Sequence, residues 1–247
     1  MSGRRRRAYV HRFAMRSPDD CSALEAAIAA GTVEPKSIVA ILGKTEGNGC
    51  VNDFTRAFAV RALETLLARH LPDETLRQVA MVMSGGTEGA LSPHMTVFEA
   101  RACDGTDGRA ALALGRARTP TLAAEHLGRM GQLEMVAAGV WDAMADAGIS
   151  ETADVHYVQV KCPLLTIDRI EAAEARGQTL AVRDTLKSMA YARGASALGV
   201  AVALGELWDL LDGDAATVFE PKVFALGVAT AVAFFLSKDA NKTGILQ

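Results

Sequence analysis

Two kinds of apolar pattern alternate along this chain. Short apolar runs closed by glycine read as buried strands ending in tight turns, and longer stretches with apolar residues every three or four positions read as helices. Ala8 to Ala14 alternates weakly and predicts a first strand. Ser17-Pro18-Asp19-Asp20 is a turn and an N-cap signal, so a short helix is predicted over Cys21 to Ala30, ended by Gly31. Ser37 to Leu42 predicts an apolar strand that delivers Gly43-Lys44-Thr45-Glu46-Gly47-Asn48-Gly49. Arg56 opens a helix to His70, with Phe58, Ala62 and Leu66 spaced for one buried face. Pro72 resets the chain, and Glu74 to Gln78 leads into the strand Val79 to Met83, which stops at Ser84-Gly85-Gly86.

A second unit follows Gly105 to Gly108, a Gly- and Asp-rich boundary that divides the chain into 1–105 and 106–247. Ala110 to Ala117 predicts a strand, and Leu133 to Ala147 a helix ended by Gly148. Asp154 to Val160 predicts a strand that delivers Lys161-Cys162-Pro163-Leu164-Leu165. A polar connection, Glu171 to Asp184, precedes Arg193, which heads a small-residue apolar helix, Gly194 to Leu204. Strand, lysine, then arginine at the head of a helix thus occurs twice. The order reads as an internal repeat of one α/β unit.

Composition narrows the picture. Half of the 247 residues are apolar and the net charge is −3, which fits a globular protein and excludes a broad nucleic-acid surface. Cys21, Cys50, Cys103 and Cys162 show no CxxC spacing, which suggests neither a zinc site nor a disulfide framework and points to reduced thiols in the cytoplasm. The basic run Arg4 to Arg7 is followed by His11, Arg12 and Arg16 rather than an apolar core, so it is no secretory signal. Val223 to Leu236 is apolar but too short to predict a membrane span.

The candidate chemistry sits at the two lysine loops. Ser84 would present a hydroxyl at a strand end, and the two glycines after it let backbone amides approach a ligand, an arrangement suited to a carbonyl or oxyanion. The competing reading is a glycine-rich turn whose serine caps backbone. Lys161, between Val158–Val160 and Pro163–Leu165, has apolar sequence neighbours whose burial would lower its pKa. A lysine so tuned can activate a serine hydroxyl without histidine. Arg56 and Arg193 offer forked donors for carbonyl oxygens, whereas Arg61, Arg69 and Arg77 read as surface charges. His94 and His156 read as locally hydrogen-bonded, and no HxH or HExxH spacing makes them metal ligands. A phosphate-binding reading of the Ser84 turn lacks the P-loop's terminal Lys-Ser/Thr.

Four stretches carry a resemblance. GKTEGNGCVND (Gly43 to Asp53), VMSGGTEGALSPH (Val82 to His94), VQVKCPLL (Val158 to Leu165) and SMAYARGASALG (Ser188 to Gly199) resemble the ring-opening amidohydrolase family, over about Tyr9 to Gly205. The resemblance implies an α/β fold of three similar units around a pseudo-threefold axis, each supplying a lysine, an arginine and a serine to a site on that axis. It implies that Arg56, Arg193, Ser84 and the Gly85 backbone bind substrate, that Lys44 pairs with Ser84, and that Lys161 is the general base for a second-unit serine. The implied substrate is a cyclic imide, cyanuric acid in preference to barbituric acid. The implied assembly is a homotetramer with no nucleic-acid or membrane partner. The chemistry requires no cofactor, and the family's structural metal site is not recognisable.

The match fades after Gly205. Leu207 to Gln247 shows no Ser-Ala-Gly or Ser-Gly-Gly strand end, and the flanks of Ser237 do not fit the family serine motif. This reads as a divergent, truncated or frame-shifted C-terminus lacking the third unit. A non-catalytic protein that binds cyclic imides or serves as an assembly partner is therefore the alternative to an active hydrolase.

Overall fold

A computed structural model of the protein describes residues 6–50, 52–86, 91–103 and 112–206. The predicted boundary Gly105–Gly108, the start of the predicted strand at Ala110, and the segment Leu207 to Gln247 with Val223–Leu236 and Ser237 lie outside the described residues. The chain forms two units, one of Met1–Arg116 with Asp146–Gly148 and one of the remainder.

The first unit is built on a four-stranded sheet in the order β1-β4-β2-β3, with β1 Arg6–Ala14, β2 Ile38–Lys44, β3 Ala80–Ser84 and β4 His94–Ala102. The hydrophobic run of β2 takes a central place, parallel to β3 and antiparallel to β4, as expected for a strand apolar on both faces. Edge strand β1 is largely exposed and alternates only weakly. It is fastened to β4 by Glu99, whose fully buried carboxylate meets His11 Nε2 at 2.6 Å, Arg101 Nε at 3.0 Å and the Glu34 amide at 2.8 Å.

Helix α1 (Ser22–Ala29) starts where Asp20 accepts the Ser22 amide and hydroxyl, and ends at Gly31, whose φ of 71° suits glycine. Helices α2 (Thr55–Leu67) and α3 (Asp73–Gln78) form the crossover from β2 to β3. The buried residues of α2 are Ala59, Leu63, Leu66 and Leu67, whereas Phe58 is 53% exposed and Ala62 half-buried. Leu66 thus lies on the expected face and Phe58 does not. The larger aliphatic pair Leu63 and Leu67 belongs to the core of Ile41, Met81 and Val97, which leaves Ala62 about 100° and Phe58 about 140° from Leu63 around the helix.

The second unit is helical among its described residues. Helix α4 (Met130–Ala147) ends at Gly148 with φ 71°. The polar stretch expected as a connection holds α5 (Ile167–Ala175), whose Ile170 and Ala173 pack with Leu122, Leu127 and Leu165. Helix α6 (Thr185–Ala203) begins well before Arg193, because the Asp184 carboxylate accepts the Lys187 amide at 2.7 Å and caps it there. A Cβ on Gly199 would meet the Leu133 carbonyl and Val136, so glycine is what lets α6 lie close on α4. Residues 112–117 and Asp154 to Val160 are not strands. In the latter, Asp154 closes a 3-10 turn (Thr152–Asp154) and residues 155–160 make no ladder, because the described residues of this unit supply no strand to pair with them.

The α2 face is testable by urea unfolding. Leu63→Ala should cost about 2–5 kcal/mol, and Phe58→Ala less than about 1 kcal/mol. A large loss at Phe58 would show that the helix buries the other face.

Candidate functional site

The ends of β2 and β3 set the first part of the site. Parallel register places Lys44 directly beside Ser84, although forty positions separate them in sequence. Lys44 Nζ donates to Ser84 Oγ at 2.8 Å and approaches the Gly85 carbonyl at 3.4 Å, while Ser84 Oγ lies 3.3 Å from that same carbonyl. The serine is exposed and the lysine half-buried, so the pair opens to solvent with its hydroxyl polarised by an ammonium. His94 occupies the facing position on β4, and its Nδ1 donates to the Ser92 carbonyl at 2.7 Å.

Below this pair two glycine turns close on one carboxylate. Asp53 is buried just before α2. It accepts the Gly49 amide at 2.9 Å, the Thr55 amide at 3.0 Å and the Thr55 hydroxyl, and Arg56 Nε stands 3.6 Å away. A Cβ on Gly47 or on Gly85 would run into the Asp53 carboxylate, and one on Gly49 would come within 3.1 Å of Gly86 Cα. Gly49 and Gly86 also adopt φ of 71° and 77°. These glycines are therefore required by close approach as well as by backbone angle. Burial works to raise the Asp53 pKa, but the Thr55 hydroxyl, the two amides and the Arg56 charge outweigh it and hold the carboxyl below its ordinary range.

Thr45 completes the brace. Its amide donates to the Ser84 carbonyl at 3.0 Å and its hydroxyl meets Thr55 Oγ1 at 2.8 Å. Glu46, next along the lysine loop, takes φ 53°, a left-handed value costly for a side chain other than glycine. The Gly86 amide donates to the Gly47 carbonyl, so one of the amides expected to face a ligand is occupied within the protein.

Arg56 lies in the first turn of α2. Its Nη2 donates to the Cys50 carbonyl at 2.6 Å, and its side chain is 28% exposed. The structure thus joins Lys44, Ser84, Gly85 and Arg56 around Asp53. Asp53, Thr45 and Thr55 were missed in the sequence reading. The signal available was an aspartate two residues before a helix, the pattern of an Asx turn that accepts the amide at i+2.

Lys161 and Arg193 belong to the second unit. Lys161 is exposed, against the apolar enclosure expected for it. Its extended segment alternates, with Val158, Val160, Cys162 and Leu164 half-buried and Tyr157, Gln159, Lys161 and Pro163 exposed, so its apolar sequence neighbours face the other way. Arg193 does not head a helix; it lies inside α6, exposed, with Nε donating to the Met189 carbonyl at 3.2 Å. Among the described residues no group of three His, Cys, Asp or Glu side chains is placed to hold a metal ion. No helix among them is long and apolar enough to cross a membrane.

Comparison with known proteins agrees with these motifs. The family model described as amidohydrolase ring-opening protein matches residues 9–233, beyond the point at which the motifs fade. A cyanuric acid amidohydrolase of Bradyrhizobium sp. (strain ORS 375) is 75% identical over 206 residues, which cover 82% of this chain and 55% of that protein. A crystal structure of the cyanuric acid hydrolase from A. caulinodans superposes with a TM-score of 0.78 at 57% identity, covering 86% of this chain and 59% of that one. A second cyanuric acid hydrolase structure, described as an innovation by structural concatenation, gives a TM-score of 0.77 at 49% identity, covering 82% and 57%. The chain spans a little over half the length of the relatives it matches.

Asp53→Asn keeps the shape of the brace and removes its charge, and should cost about 2–3 kcal/mol near neutral pH. Because the folded pKa is depressed, this contribution is complete above the ordinary aspartate range near about pH 4 and is lost as pH falls through the folded value. Thermal melts of the two proteins should run apart at neutral pH and converge in acid; a gap that does not change with pH would refute the charge-based account.

Proposed function

The chain belongs to the amidohydrolase ring-opening family, and on that premise we propose that it opens the ring of cyanuric acid by serine–lysine chemistry. The observation that carries the proposal is the Lys44 Nζ to Ser84 Oγ contact of 2.8 Å, at strand ends whose turns are built for close approach. Ser84 and the Gly85 backbone bind the imide, with Arg56 and Arg193 as donors to its carbonyl oxygens. Lys44 polarises Ser84, and Lys161, exposed to the medium, is the general base.

In the proposed reaction a serine of the second unit attacks a ring carbonyl carbon while its proton passes to the neutral Lys161 amine. The ring C–N bond breaks, the nitrogen leaves with a proton and the acyl group stays on the serine. Water then cleaves that ester. The product is carboxybiuret, which loses carbon dioxide to give biuret. Side chains alone carry these steps, without a cofactor. All four cysteines are thiols, in keeping with a cytoplasmic enzyme, and the family assembly is a homotetramer.

A second reading is favoured by the exposure of Lys161, which lacks the apolar enclosure that tunes a lysine base: a protein that binds cyclic imides without turning them over. Loss of ultraviolet absorbance by cyanuric acid, with barbituric acid alongside, separates the two. Turnover should fall by about 10²–10⁴-fold in Lys161→Ala, the usual contribution of a general base. Ser84→Ala should raise KM about tenfold, the worth of one hydrogen bond to a bound ligand. Cyanuric acid that raises the melting temperature without turnover would select the binding reading. Neither effect in folded protein would overturn both.

A further inference from the structure

The second unit holds a buried polar side chain that reaches three segments at once. Gln132, in the first turn of α4, is 2% exposed. Its Oε1 accepts the Gly128 amide at 2.7 Å, just ahead of the helix start. Its Nε2 donates to Ser196 Oγ at 2.9 Å and to the Ala192 carbonyl at 3.0 Å, both on α6, and lies 3.5 Å from Cys162 Sγ. Cys162 Sγ and Ser196 Oγ are themselves 2.9 Å apart.

One carboxamide therefore ties the start of α4 and the middle of α6 to the extended segment that precedes α5. Removing it would take the acceptor from the buried Gly128 amide and one donor each from Ser196 Oγ and the Ala192 carbonyl. An apolar side chain of the same bulk would fill the space but supply none of these contacts, so the network points to a geometric requirement. The segments it joins are those with site residues next in sequence: Cys162 follows Lys161, and Ala192 precedes Arg193. Among the described residues the Lys161 segment has no strand ladder, and Cys162 Sγ anchors it to Gln132 and Ser196.

We infer that Gln132 is the positioning residue of the second unit. Its carboxamide holds the Lys161 segment against α6 and so sets how the Lys161 amine and the Arg193 guanidinium are presented to a cyclic imide. The ligand in that statement rests on the ring-opening reading; the anchoring does not.

The test uses the full chain with Gln132→Met, which keeps length and bulk but loses donor and acceptor. Ser196→Ala serves as a milder cut in the same network. Amide hydrogen exchange across residues 158–164 should quicken about tenfold or more in both variants while β2 and β3 exchange as before, because the contacts of Gln132 and Ser196 with Cys162 hold the segment against α6. Ring opening should lose about tenfold or more in kcat at a KM within about threefold, as expected for a displaced base rather than weaker binding. Unchanged exchange across 158–164 would overturn the inference, as would faster exchange with kcat intact. If the unaltered chain opens no ring, the ring-opening reading fails on its own, and the exchange pattern still upholds or overturns the anchoring by Gln132.

Discussion

The first unit depends on a carboxylate where water does not reach it. Asp53 must be charged to hold the Gly49 and Thr55 amides, and it stays charged because those donors and Arg56 stand around it. Everything at the mouth of the site follows from that arrangement. The turn that ends β2 and the turn that ends β3 lie over the same group, so the glycines of both are constrained together. Lys44 and Ser84 then meet at a fixed separation set by backbone rather than by their own flexible or exposed side chains. Preorganisation of this kind spares the site from ordering itself when a ligand arrives.

The second unit reaches a similar end by neutral means. Gln132 is buried like Asp53, lies near the start of a helix, and connects the segments that bear a lysine and an arginine. A carboxamide suits this place because it both donates and accepts, so it satisfies the Gly128 amide and the Ala192 carbonyl at once. A carboxylate suits the first unit because its partners there are all donors. The two units thus share one feature, a buried polar group beside a lysine-bearing segment, while differing in the group that fills it.

Much of this could be read along the chain. Three strands of the first unit, the limits of α1, the end of α4, and the positions of Lys44 and Ser84 at strand ends follow from apolar patterns and the glycines that close them, whereas strand β4 and the first residues of α4 were not read. Elements of the second unit were harder. The stretch before Lys161 has the alternation of a strand, but alternation records which residues face inward and says nothing of whether a partner strand is present. The polar-faced α5 was hidden because only Ile170 and Ala173 face its core, and Arg193 was misplaced because the cap at Asp184 starts α6 earlier than its small-residue run suggests.

By itself the sequence determined the family, the α/β character of the first unit and the residue types available for serine–lysine chemistry, because those rest on local pattern and on motifs that survive as strings. Tertiary structure alone decided which residues meet. Strand register set Lys44 beside Ser84, close approach of two turns gave Asp53 its place, and the outward face of an alternating segment left Lys161 exposed. Each of these is a contact between parts of the chain far apart in sequence or a choice between two faces. Local composition is nearly the same for either choice; only packing tells them apart.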